Sequence, residues 1–78
     1  MPTVLRIGRY RFFFFSNEGH EPIHIHVESD EQYAKFWLEP LQLARSVGYN
    51  AKEIGDIRKI VNENSELLKE KWYEYFGQ

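Results

Sequence analysis

Cysteine is absent from the 78 residues, which excludes a disulfide framework and every zinc site built on thiolates. No apolar run approaches the roughly 20 residues needed to cross a bilayer. The first residues lack the charged, apolar and small-residue regions of a secretory leader, so the expectation is a cytoplasmic protein with no membrane partner. A glycine-rich phosphate loop, a Ser/His/Asp arrangement and a nucleotide fingerprint are all lacking. So is a large charge of one sign. The net charge of −2 does not favour non-specific nucleic-acid binding, which draws its affinity from phosphate neutralisation. The length leaves room for one domain, residues 1–78, and not for two. What the chain does have is aromatic surface. Thirteen residues, 17% of the total, are Phe, Tyr or Trp, and each buries a large area, which offsets the small core of a short domain.

Charge is unevenly placed. Arg6, Arg9 and Arg11 fall in a stretch with no acid, whereas Glu18, Glu21, Glu28, Asp30 and Glu31 fall in one with no Lys or Arg. The first strands therefore offer a local basic patch despite the acidic total. Thr3–Ile7 is a short β-rich run, Gly8-Arg9 a turn, and Tyr10–Phe15 a second strand. Four consecutive Phe residues break the alternation of a half-exposed strand, so both faces of the second strand should be covered. Ser16-Asn17-Glu18-Gly19 is turn chemistry. From Ile23 to Glu28 the alternation is clean: Ile23, Ile25 and Val27 point one way, His24, His26 and Glu28 the other. If 29–32 closes a regular hairpin with Tyr33–Leu38, Glu28 faces Tyr33, His26 faces Lys35 and His24 faces Trp37. One side of the sheet then carries Ile25, Val27, Ala34, Phe36 and Leu38 as core. The other carries His24, His26, Glu28, Lys35 and Trp37 as a polar working surface.

Glu39-Pro40 stops the fourth strand, and Leu41–Ser46 alternates as a short fifth. Asn50 with Glu53 three positions on reads as a helix N-cap and capping box. From Ala51 the apolar residues Ile54, Ile57, Val61, Leu68 and Trp72 recur at helical spacing, and Gly77 marks the end. The polar run 62–65 interrupts that stripe. The reading is one long helix, kinked there, with two helices as the alternative. The fold class is α+β: an antiparallel sheet of four to five strands packed against the C-terminal helix.

All three histidines lie within seven residues, 20–26. Residues i and i+2 of a strand project side by side, so His24 and His26 could ligate one metal ion with Glu28 on the same face. A stable site needs at least a third protein ligand, and the cofactor expectation is none, with a metal ion as the alternative. The second chemistry is acid–base. A histidine pair supplies a general acid and a general base near neutral pH. Lys35, with Arg11 or Arg45, would stabilise a phosphoryl transition state, and Trp37 would stack on an unpaired base. That set suits metal-independent RNA cleavage, with His24, His26 and Lys35 catalytic and Arg11, Trp37 and Arg45 binding substrate. The bland reading of the same residues is a solvated strand face. The Phe12–Phe15 run reads as core or as the seam of a homodimer.

Met1–Gly8, Tyr10–Phe14, Glu21-Pro22-Ile23-His24-Ile25-His26-Val27, Ala34–Leu38 and Leu43–Ser46 together resemble domain-of-unknown-function family 4160. The family's Glu-Pro-x-His-x-His-Val core falls on Glu21, Pro22, His24, His26 and Val27, and His20 lies outside it. The resemblance implies a small prokaryotic protein, often encoded beside another small protein, in pairs commonly read as toxin–antitoxin modules. The expectation it supports is a toxin-like component acting on RNA or translation, partnered by the neighbouring gene's product. The alternative is a non-catalytic interaction module, an antitoxin or adaptor, binding through excess aromatic surface.

Overall fold

The computed structural model describes residues 3–15, 17 and 19–77. Met1, Pro2 and the Ser16 and Glu18 positions of the expected turn lie outside the described residues. Five antiparallel strands run in chain order across one open sheet: β1 (Thr3–Ile7), β2 (Tyr10–Phe13), β3 (His24–Ser29), β4 (Gln32–Leu38) and β5 (Leu41–Val47). Two helices follow, α1 (Ala51–Glu63) and α2 (Ser65–Phe76). The architecture is α+β. Short turns join the strands of this simple meander except β2 and β3, which residues 14–23 connect. Gly8 takes φ 58° in the first, a left-handed value that costs glycine nothing. Asp30 takes φ 50° in the β3–β4 turn, a conformation its short polar side chain tolerates better than most.

The β3–β4 register pairs Glu28 with Tyr33, His26 with Lys35 and His24 with Trp37, as alternation predicts. It runs one pair further, to Ser29 and Gln32, so Asp30 and Glu31 alone make the reversal. The inner face carries Ile25, Val27, Ala34, Phe36 and Leu38, all buried, and these join Phe12, Phe14, Ile57, Val61, Leu68 and Trp72 in one core cluster. Each such side chain contributes about 1.5–3 kcal/mol on burial. β2 ends at Phe13, not at Phe15. Its rings are covered on both faces, Phe12 by the core cluster and Phe13 by Phe15, His26 and Arg11. Phe12, Phe13 and Phe14 are at most 2% exposed.

The C-terminal region is two helices, not one long kinked helix. The break is at Asn64 (φ −113°, ψ 15°). Its side-chain amide donates to the Ile60 carbonyl at 2.8 Å, and its backbone N–H donates to the Ile60 and Val61 carbonyls at 3.1 and 3.3 Å. Asparagine competes in this way for helix carbonyls and favours helix ends. Leu68 N–H still reaches the Asn64 carbonyl at 3.0 Å, so α2 starts with no connecting loop. Gly77 ends it at φ 72°.

Asn50 caps α1. Its side-chain oxygen accepts from Glu53 N–H at 2.8 Å, and the Glu53 carboxylate accepts from Asn50 N–H at 3.0 Å. That carboxylate also takes a hydrogen bond from Arg9 in the β1–β2 turn, tying the hairpin to the helix. The Asn50 N–H, and after it Arg9, hold the Glu53 carboxyl below its ordinary value. A depressed carboxylate contributes stability above its unfolded pKa, and loses it as pH falls through the folded one. Glu53→Gln is therefore expected to be less stable than the parent at neutral pH. The gap should close as the solution is acidified below the ordinary carboxylate range. Urea unfolding at a series of pH values reads it; a gap that persists unchanged to strong acid contradicts the charge assignment.

Candidate functional site

The period-2 geometry of β3 sends both imidazoles to the face of the sheet opposite Ile25 and Val27, and their ring centroids are 5.0 Å apart. Lys35 and Trp37 of β4 stand on that side with them. The predicted residues thus share one flank. They do not form an open surface. His24 is 0% and His26 2% exposed. The expectation of a solvated working face for the two rings is corrected on this point, and neighbouring rings supply the reason. Phe13 stacks on His26 at 5.4 Å, and Phe15, from the segment after β2, meets it edge-on at 4.7 Å. Tyr33 stacks on its flank at 5.7 Å. His24 lies against Trp37 at 5.5 Å and against Trp72 of α2 at 5.0 Å.

Hydrogen bonding completes the enclosure. His24 Nδ1 is 2.8 Å from the Pro22 carbonyl. A carbonyl only accepts, so that nitrogen carries the hydrogen. His26 Nδ1 and the Tyr33 hydroxyl are hydrogen-bonded at 2.6 Å. His24, His26 and Tyr33 make other contacts as well. Among the described residues no buried side-chain nitrogen or oxygen lacks a partner. Three surface clefts, of about 630, 360 and 260 Å³, are lined without either imidazole. A general acid or base must come within about 3 Å of its substrate, and in this arrangement aromatic rings occupy that space.

The cations are also engaged. Lys35 Nζ donates to Glu21 at 3.0 Å and sits 4.4 Å over the Trp37 ring. Arg11 donates to Glu28 at 2.5 Å and to the Thr3 hydroxyl at 2.9 Å, and its guanidinium lies over Phe13 at 4.4 Å. Glu28 is thereby committed to Arg11 and not to the histidines. Among the described residues no three His, Cys, Asp or Glu side chains are grouped as a metal site would need. Trp37 is half-buried, and His20 is exposed and outside the cluster. Arg45, on β5, is exposed; it pairs in register with Lys35.

The family model of a domain of unknown function, DUF4160, matches residues 10–73. The chain belongs to the DUF4160 family. No curated protein matches it, and no solved structure does. The family thus carries a shared domain and no assigned activity.

In this DUF4160 domain β5 forms one of the two edges of the sheet. β5 pairs only with β4. All but the first of its seven residues are exposed, including Leu43 at 37% and Val47 at 46%. The register shifts between Lys35 and Phe36, so Lys35 faces Arg45 while Phe36 faces Leu43. Ala44 is the extra residue of a bulge. The bulge puts Leu43 on the helix side and Arg45 and Val47 on the outer side. Sequence reasoning placed β5 but missed its exposure. The signal was present in the chain order: in a five-strand meander the last strand has no sixth to pair with. Tyr33, Phe13, Phe15 and Glu21 were missed as the partners that close the histidine cluster. Phe13 and Tyr33 follow from the β2–β3 and β3–β4 registers, whereas Phe15 and Glu21 lie in the segment between β2 and β3, of which strand alternation says nothing.

Proposed function

We propose that this DUF4160 domain is a non-catalytic binding module that takes up an extended segment of a small partner protein along the free edge of β5. The observation that carries the reading is an edge strand of seven residues, six of them exposed, two of these large and apolar. Such an edge is a template for strand addition: main-chain hydrogen bonds give affinity, and alternate side chains give specificity. The partner expected from the family resemblance is the product of the neighbouring gene. In a toxin–antitoxin pair this domain would then be the antitoxin or adaptor.

A second reading keeps the toxin-like role, acting on RNA or translation through His24, His26 and Lys35. The 5.0 Å approach of the two rings, with Lys35 in register beside His26, favours it. It requires Phe15 and Glu21 to move off the outer face. Co-expression with the tagged neighbouring-gene product separates the two. The parent is expected to co-purify, and the edge variant Leu43→Ser/Val47→Ser, which removes the exposed apolar surface without adding charge, to lose the partner at unchanged thermal stability. Equal recovery of both rejects the β5 site. Growth arrest and RNA loss on inducing this domain alone, abolished in a folded His24 or His26 variant, replaces the binding reading with the catalytic one.

A further inference from the structure

Leu43 and Val47 are not the only groups that a strand arriving at β5 would meet. Arg45 is exposed on the outer side of the sheet, next to Val47. On the helix side Arg58 of α1 is exposed, with its guanidinium 5.6 Å over the ring of Phe36. Phe36 is the register partner of Leu43, so this second cation overhangs the β4–β5 pair about one strand spacing, roughly 5 Å, from the free edge. Among the described residues neither guanidinium has a carboxylate within salt-bridge distance. The other cations near the outer face, Lys35 and Arg11, are paired with Glu21 and Glu28. β5 itself contains no acid. Each side of the edge therefore presents one exposed apolar side chain and one uncompensated guanidinium, in a chain whose net charge is −2.

We infer that the β5 edge selects an extended acidic segment, one that mixes aliphatic residues with Asp or Glu and lies as a sixth strand beside β5, with Arg45 on one face of the sheet and Arg58 reaching over the other. The inference rests on the binding reading above and specifies its partner's chemistry. Main-chain pairing would supply registration. Carboxylates on the two faces would meet the guanidinium groups in charge-assisted hydrogen bonds, and aliphatic residues would cover Leu43 and Val47. Charge also argues against a second copy of this chain as the occupant. Two antiparallel β5 strands paired about Arg45 would set two guanidinium groups opposite each other with no acid on either strand, and like charges across a sheet are destabilising. An edge cation is a common device against self-pairing, and here the same cation discriminates in favour of an acidic guest.

The test uses the full chain and a capped peptide of about ten residues, half Val and half Glu, with a control in which Lys replaces Glu. Backbone amide shifts of β5 are followed on titration at low salt. The acidic peptide is expected to perturb β5 amides and to bind at least tenfold more tightly than the Lys control. Arg45→Glu/Arg58→Glu should invert that preference while the melting temperature stays put. Equal or tighter binding of the Lys peptide, no shift at β5 with either peptide, tighter binding of an oligouridylate, or a β5-mediated dimer in sedimentation would each overturn the inference. The neighbouring-gene complex keeps its fate distinct from that of the parent reading. Loss with Leu43→Ser/Val47→Ser but survival with Arg45→Glu/Arg58→Glu refutes the acidic chemistry alone. Survival with both refutes the β5 site itself.

Discussion

Trp72→Ala is expected to lower the melting temperature by on the order of 15–30 °C. Trp72 is 2% exposed and touches three groups that belong to different parts of the fold: Phe14 at 5.6 Å, His24 at 5.0 Å and Phe76 at 4.3 Å between ring centroids. It is thus the point at which α2 meets both the core and the histidine cluster. Truncating a buried Trp to Ala costs about 3–5 kcal/mol, the lost transfer energy plus the cavity left behind. A domain of this length has a total of only about 4–12 kcal/mol to lose. Tyr73, the next residue, is 43% exposed, and Tyr73→Ala should change stability by well under 1 kcal/mol. Thermal and urea unfolding followed by circular dichroism compare the two. Similar small shifts for both would mean that α2 does not dock through Trp72.

His26→Ala is expected to cost about 2–3 kcal/mol, or roughly 10–20 °C in melting temperature, with His24→Ala close behind. The ring of His26 is packed by Phe13, Phe15 and Tyr33, so its removal leaves a hole and forfeits the 2.6 Å bond to the Tyr33 hydroxyl. A solvated catalytic histidine behaves in the opposite way: truncation abolishes activity and moves stability by no more than about 0.5 kcal/mol. The measurement therefore decides what the paired imidazoles are for. A large loss of stability assigns them to the architecture, and any growth phenotype of the double variant then reflects lost fold. Unchanged melting with altered growth would return them to chemistry.

Much of the sheet was legible from residue order because the side-chain period of a strand is 2. Ile25 and Val27 had to share a face, and His24 and His26 the other. The pairing of His26 with Lys35 followed from turn length alone. The capping box at Asn50 and Glu53 was equally readable, since both of its bonds are local. The polar run 62–65 flagged the helix break, but whether the chain bends or stops there depended on Asn64 bonding back to Ile60. The candidate site was legible as a set of residues and illegible as an environment. Alternation assigns a side chain to a face; it does not say what will cover that face.

The amino-acid order by itself determined the α+β class, the strand sequence and the division of β3 into aliphatic and histidine sides. These follow from contacts a few residues apart and from the obligation of an aliphatic stripe to leave water. Only the tertiary structure decided that Phe15 and Trp72 would close over the imidazoles, that Glu21 and Glu28 would neutralise Lys35 and Arg11, and that Arg45 would meet no carboxylate among the described residues. Those outcomes join residues from distant parts of the chain. Nothing in a local pattern encodes which of thirteen aromatic rings will find which partner until the whole core competes for the same space.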